Sequence, residues 1–119
     1  MSVSQPQPTP SDALHHILQS AAGHKWVFLV FSGHDCPVCD RLRQQLPWFA
    51  DTYRQQLDLL LVDIRKHPSL ATEYAIIGIP TVMVYRQGMP VLVQTGVDSR
   101  NELKKMLKTA TDRVNSLHP

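Results

Sequence analysis

The sequence predicts an α/β fold, a central mixed β-sheet of about four strands flanked by helices in the order α-β-α-β-α-β-β-α. Three observations carry that reading. Trp26-Val27-Phe28-Leu29-Val30-Phe31 is a continuous apolar run of β-formers, as expected of a central strand covered on both faces. The helical segment from Pro68 to about Ala75 lies between the run Leu59 to Ile64 and the run from Thr81, which favours a βαβ unit with parallel pairing and a right-handed crossover there. Two further apolar runs, Thr81 to Tyr85 and Val91 to Val93, are separated by a stretch short enough for an antiparallel hairpin.

The elements follow in order. Residues 1 to 10 carry Pro6, Pro8 and Pro10 among Ser, Gln and Thr, too polar to offset the entropy of ordering, and are read as a disordered tail preceding a single domain over 11–119. Ser11 is a candidate N-cap, after which Leu14, Ile17, Leu18 and Ala21 recur at helical spacing until Gly23 stops the pattern. The strand from Trp26 ends at Ser32-Gly33. After Pro37, the positions Leu42, Leu46, Phe49, Ala50, Tyr53 and Leu57 form a helical stripe, with Pro47 inside it as an expected kink. Leu59 to Ile64 reads as a second buried strand, and Pro68 to about Ala75 as a short helix. Gly88 supplies the hairpin turn within Arg86-Gln87-Gly88-Met89-Pro90, and Gly96 ends the second arm. Ser99 with Glu102 is a capping-box signature, and Leu103, Met106, Leu107, Ala110 and Val114 make the stripe of a last helix. No internal repeat is visible.

Composition narrows the function. With 119 residues and 43% apolar content the chain can bury one real core. A net charge of +2 with mixed signs offers no basic stripe for phosphate backbones, so nucleic acid is not an expected partner. No apolar run approaches a membrane span and no leader pattern opens the chain, so the expectation is a cytoplasmic protein with no membrane partner.

The chain holds two cysteines, Cys36 and Cys39, in one C-x-x-C. At a helix start, the first cysteine lies where unpaired backbone N–H groups and the positive end of the helix dipole favour a thiolate, the form that attacks disulfides. Two intervening residues let the second sulfur reach the first within one turn, so a mixed disulfide on Cys36 can be resolved by Cys39. Pro37 suits the first helical turn, which needs no donor there. Two other readings of the spacing stand beside this one: a pair of ordinary buried cysteines, or half a zinc site with His34 nearby. Zinc lacks a second ligand pair, since His15, His16, His24, His67 and His118 are scattered, and no metal or cofactor is expected. No Ser-His-Asp set or phosphate-binding glycine loop is apparent.

The strand before Cys36-Pro37-Val38-Cys39, Asp63 at the end of a later strand, and Gly78-Ile79-Pro80-Thr81 opening the hairpin together resemble the thioredoxin family over approximately residues 25 to 115. The resemblance implies a thioredoxin-like fold, Cys36 as nucleophile, Cys39 as resolving thiol and Pro80 as a cis proline beside them. It also implies substrate contacts from Ile79, whose backbone would pair with an extended segment, and from Pro37 and Val38. By itself, Gly78-Ile79-Pro80-Thr81 also reads as an ordinary tight turn.

The departures are specific. Asp35 precedes the first cysteine where thioredoxins proper usually have Trp, and Pro-Val fills the centre, closer to the C-P-x-C of glutaredoxins. Asp35 and Asp40 oppose thiolate formation, while Arg41, Arg43 and a protonated His34 favour it. The family's buried acid, six residues before the first cysteine, falls on Val30, and its strand lysine on Leu61. The strand that opens full thioredoxins is replaced by a helical pattern. Two functions follow: a thiol-disulfide oxidoreductase acting on protein disulfides and recharged by a thiol reductant system, either a reductase or glutathione, or a redox-weak binding, assembly or chaperone module using the groove near Pro80.

Overall fold

Seven consecutive buried residues, Trp26–Ser32, form strand β1 in a computed structural model of the chain, which describes residues 9–20 and 24–116. Around it run α1 (Pro10–Ser20), α2 (Pro37–Thr52), β2 (Leu57–Asp63), α3 (Pro68–Glu73), β3 (Thr81–Arg86), β4 (Met89–Thr95) and α4 (Arg100–Ser116), in the order expected. The four strands form one mixed sheet in the order β2-β1-β3-β4.

The two-residue period of β1 builds the core on both faces of the sheet. Trp26, Phe28 and Val30 pack with Leu42, Leu46 and Phe49 of α2 and Leu103, Met106 and Leu107 of α4. Val27, Leu29 and Phe31 pack with Leu14 and Leu18 of α1 and Leu70 of α3. Phe28 and Phe49 meet edge to face at 5.0 Å between ring centroids, a geometry that the ring quadrupoles favour.

Pairing corrects the placement of the crossover. The parallel partners are β1 and β2, joined through α2, whereas β3 runs antiparallel to β1. At six residues, α3 is about 9 Å long against about 23 Å for a seven-residue strand, so it returns the chain to the sheet end it left. The second strand is also not buried as expected. It lies at the sheet edge with Leu61 48% exposed, because a leucine-rich run looks the same whether one neighbour or two cover it.

Boundaries shifted where two signals competed. Helix α1 begins at Pro10 rather than after Ser11, because Thr9 and Asp12 cap it reciprocally: Asp12 N–H donates to Thr9 Oγ1 at 3.1 Å and Thr9 N–H to Asp12 Oδ2 at 3.3 Å. The tail read over 1–10 therefore falls outside the described residues only for 1–8, as do Ala21, Gly23 and His118. Ile17 of the expected stripe is exposed. Leu57 starts β2 instead of ending the α2 stripe, and its N–H donates to Tyr53 O at 3.0 Å. The helix is continuous through Pro47, and α3 stops at Glu73. The hairpin turn is only Gln87-Gly88, both at positive φ, so β4 starts at Met89. Pro90, which has no donor to contribute, sits on the outer strand β4 beside a register shift between Val84 and Tyr85. At α4, Glu102 N–H donates to Ser99 Oγ at 3.2 Å and Glu102 Oε2 accepts from Asp98 N–H at 3.2 Å, closing the expected cap one residue wider.

Tyr85 gives the fold a measurable alkaline limit. Burial pushes its phenol up to about 12, with the Tyr74 phenol adding to the rise. An unfolded tyrosine titrates near 10, so this contribution to stability is intact below about pH 10 and is lost as pH rises toward 12, where the unfolded chain alone has released the proton. Urea midpoints should fall between pH 9.5 and 11.5 (about, on the unfolded scale) in the parent, and fall less in Tyr85→Phe.

Candidate active site

Strand β1 delivers its last residues to one end of the sheet, and the chain turns through Gly33, His34 and Asp35 into α2. Asp35 takes φ +52, a left-handed conformation that Asp tolerates better than most side chains. Cys36 is then the N-cap of α2, in extended backbone, with Pro37 in the first turn. The backbone N–H of Cys39 points at Cys36 Sγ, 3.1 Å away.

Cys36 and Cys39 are joined as a disulfide, with 5.2 Å between their Cα atoms. The two sulfurs are unequal. Cys36 is half-buried, while Cys39 is 0% exposed. In the reduced pair, the Cys39 N–H and the α2 N-terminus both stabilise negative charge on Cys36 Sγ.

Across from the disulfide lies the loop before β3, whose Ile79–Pro80 peptide bond is cis. The Ile79 carbonyl oxygen is 3.9 Å from Cys36 Sγ. Thr81 Oγ1 donates to Gly78 O at 2.6 Å, and Gly96 N–H donates to Pro80 O at 3.0 Å. These two bonds pin the loop on either side of Ile79. Among the described residues none accepts the Ile79 N–H, so the backbone there is free to pair. Pro80 is buried, Ile79 and Val38 are half-buried, and Pro37 is exposed.

The charged residues singled out from sequence are paired off. Asp40 with Arg43, Asp35 with Arg65 at 3.7 Å and Arg41 with Asp98 at 3.0 Å form three ion pairs around the rim, and His34 Nε2 lies 3.1 Å from Asp63 Oδ2. Arg43 also donates to Ser32 Oγ at 2.7 Å and to Gly33 O at 3.1 Å, bracing the turn from below. The carboxyl of Asp63 is held below its ordinary range chiefly by the Arg65 backbone N–H, with the His34 charge assisting against desolvation. Opposing charges close to one another partly cancel at distance, which weakens the effect of Asp35, Asp40, Arg41 and Arg43 on Cys36.

Three contributors were not singled out from sequence. Arg65 and Asp98 are distant in the chain from the residues they pair with, so no local pattern marks them. Gly33 was read only as a strand stop, yet it is buried, and an added Cβ would lie 2.6 Å from Ile79 Cδ1. The Ile79 side chain packs into the space that a side chain at Gly33 would take. Among the described residues no group of three His, Cys, Asp or Glu is placed to hold a metal, and none of the described helices is long and apolar enough to cross a membrane.

Comparison with known proteins agrees with this geometry. The family model for thioredoxin matches residues 8–109. A thioredoxin-like protein of Synechocystis sp. is 31% identical over 88 residues, spanning 74% of this chain and 84% of the relative. Thioredoxin of Staphylococcus aureus is 31% identical over 72 residues, 60% of this chain and 69% of its own. The crystal structure of Trxlp from Edwardsiella tarda superposes with a TM-score of 0.70 at 24% identity, covering 84% of this chain and 95% of that one, a likeness of fold.

Proposed function

The chain belongs to the thioredoxin family, and from that premise we propose that it reduces disulfides of protein substrates, with Cys36 as nucleophile and Cys39 as resolving thiol. The observation that carries this reading is the inequality of the two sulfurs: the one at the helix N-terminus is reachable and the other is enclosed.

In the reduced form, the Cys36 thiolate attacks one sulfur of a substrate disulfide. That S–S bond breaks, a mixed disulfide forms on Cys36, and the first substrate sulfur leaves as a thiolate that takes up a proton. Cys39, after losing its proton, attacks Cys36 Sγ and expels the second substrate thiolate. Two electrons have passed to the substrate, and the Cys36–Cys39 disulfide remains. A thiol reductant system, glutathione or a reductase, returns the pair to the dithiol. The cytoplasm, whose thiol pool is reducing, suits that cycle.

The Ile79 backbone supports substrate docking as an added strand segment, with Pro80, Pro37 and Val38 shaping the contact. His34, Asp35 and Asp40 act as modest modulators through their ion pairs. The test is a turnover assay on a disulfide-bonded protein with dithiothreitol or glutathione as electron source. The reading predicts a rate proportional to the amount of this protein and lost on alkylation of Cys36. A reduced, folded protein that leaves the uncatalysed rate unchanged would instead favour a binding or assembly module using the same groove.

A further inference from the structure

Strand β2 has one neighbour, and its other edge is uncovered by any strand among the described residues. The hydrogen-bond parity shows which groups that edge presents. Trp26 N–H donates to Gln56 O at 2.8 Å and Ile64 N–H to Ser32 O at 3.0 Å. In a parallel pair, alternate residues face the same neighbour. Even-numbered residues of β2 therefore bond to β1, and odd-numbered ones turn their N–H and C=O outward. Leu57 N–H is taken by Tyr53 O, and Asp63 O accepts from Lys66 and His67 N–H. The open ladder is thus Leu59 and Leu61, each with a donor and an acceptor.

Natural edge strands are guarded by charge, proline or bulges. Here the stretch Leu59-Leu60-Leu61-Val62 carries none, and Asp58 and Asp63 stand only at its ends. Leu61 is 48% exposed and lies between two apolar clefts that border the edge. The cleft on the α2 side, about 570 Å³, includes Leu46, Pro47 and Leu59. The one on the α1 side, about 390 Å³, includes Leu14, Ile17 and Leu60. A strand laid against the edge would insert side chains into both.

We propose that the occupant is a second copy of this chain, paired antiparallel along β2 about a two-fold axis at Leu60. The ladder is self-complementary in that register. Leu59 faces Leu61 of the second copy in both directions, which satisfies every outward group of the two residues with hydrogen-bonded pairs. Leu60 faces its own equivalent on the α1 side, and the Leu59 and Leu61 side chains meet on the α2 side. Charges agree with the register as well. Asp63 of each copy falls opposite Leu57 of the other, both Leu57 and Arg54 lining the α2-side cleft, while Asp58 stays paired with Lys25 of its own copy at 3.3 Å. The interface is isologous and closes at two copies, giving an eight-stranded sheet with the two disulfides at opposite ends.

The full chain examined by sedimentation equilibrium from about 1 μM to about 1 mM should show a monomer–dimer equilibrium. Leu61→Lys, at a half-exposed position that tolerates a charge in the monomer, should raise the dissociation constant at least about tenfold. Met89→Lys, exposed at the other edge of the sheet, should leave it unchanged. Circular dichroism checks that each variant is folded. In parallel, amide exchange of Leu59 and Leu61 should slow as protein concentration rises. Concentration-independent protection would mean that the chain's own first eight residues cover the edge, and fast exchange throughout would leave it for a different protein. Either result overturns the proposal, as does a dimer weakened by Met89→Lys but not by Leu61→Lys.

Discussion

Cys39→Ser should accumulate protein partners as mixed disulfides on Cys36, while Cys36→Ser captures none and lowers disulfide reduction to the uncatalysed rate. The attacking sulfur survives in the first variant, and only the group that expels the partner is gone. In the second, Cys39 remains, but it is 0% exposed beneath the α2 N-terminus, where a substrate disulfide cannot align with it. Non-reducing electrophoresis after mixing with a disulfide-bonded protein reads both outcomes. Equal capture by the two variants would reverse or erase the division of labour assigned to the pair. The expected loss of turnover in Cys36→Ser is the full catalytic effect.

Val30→Asp is expected to lower unfolding stability by roughly 2 to 5 kcal/mol, because it buries a polar group with no partner. The position permits no escape. Val30 is 0% exposed, sits between Leu61 and Val82 in the sheet, and belongs to the apolar cluster with Leu42 and Leu46. Urea titration measures the loss, and an unchanged midpoint would mean that this part of the core admits water. The substitution also supplies a proton acceptor on the side of the sheet covered by α2, so release of a mixed disulfide from Cys36 should become faster near neutral pH. In the parent, with valine there, release should speed up as pH rises through the thiol range.

What could be read from sequence was what local pattern alone decides. The run Trp26–Phe31 is buried on both faces, so its hydrophobicity is unbroken and its strand assignment needs no partner information. The placement of Cys36 at a helix start follows from Pro37 and the stripe Leu42, Leu46 and Phe49. The order of elements and the hairpin turn at Gly88 followed in the same way. Other features depend on what comes near in space. Leu61 reads like any buried leucine, and only the sheet order shows that nothing described stands beyond it. Thr9 and Ser11 are both good caps, and Asp12 decided between them. The balance of charge around Cys36 was unreadable because Arg65 and Asp98, which neutralise Asp35 and Arg41, lie far along the chain. The packing at Gly33 is not legible locally, because its neighbour Ile79 lies 46 residues later.

The enclosure of Cys39 makes the disulfide a terminal with a single contact. In the proposed cycle electrons would enter and leave through Cys36 Sγ alone, so donor and acceptor could not be bound in productive positions together. Each would have to vacate before the other arrived, with a covalent adduct marking every exchange. A substrate docked at Ile79 would occupy the berth that the reductant needs. An abundant acceptor would then slow its own supply, and the ratio of the two visitors, rather than the amount of either, would set how much of the protein stands reduced.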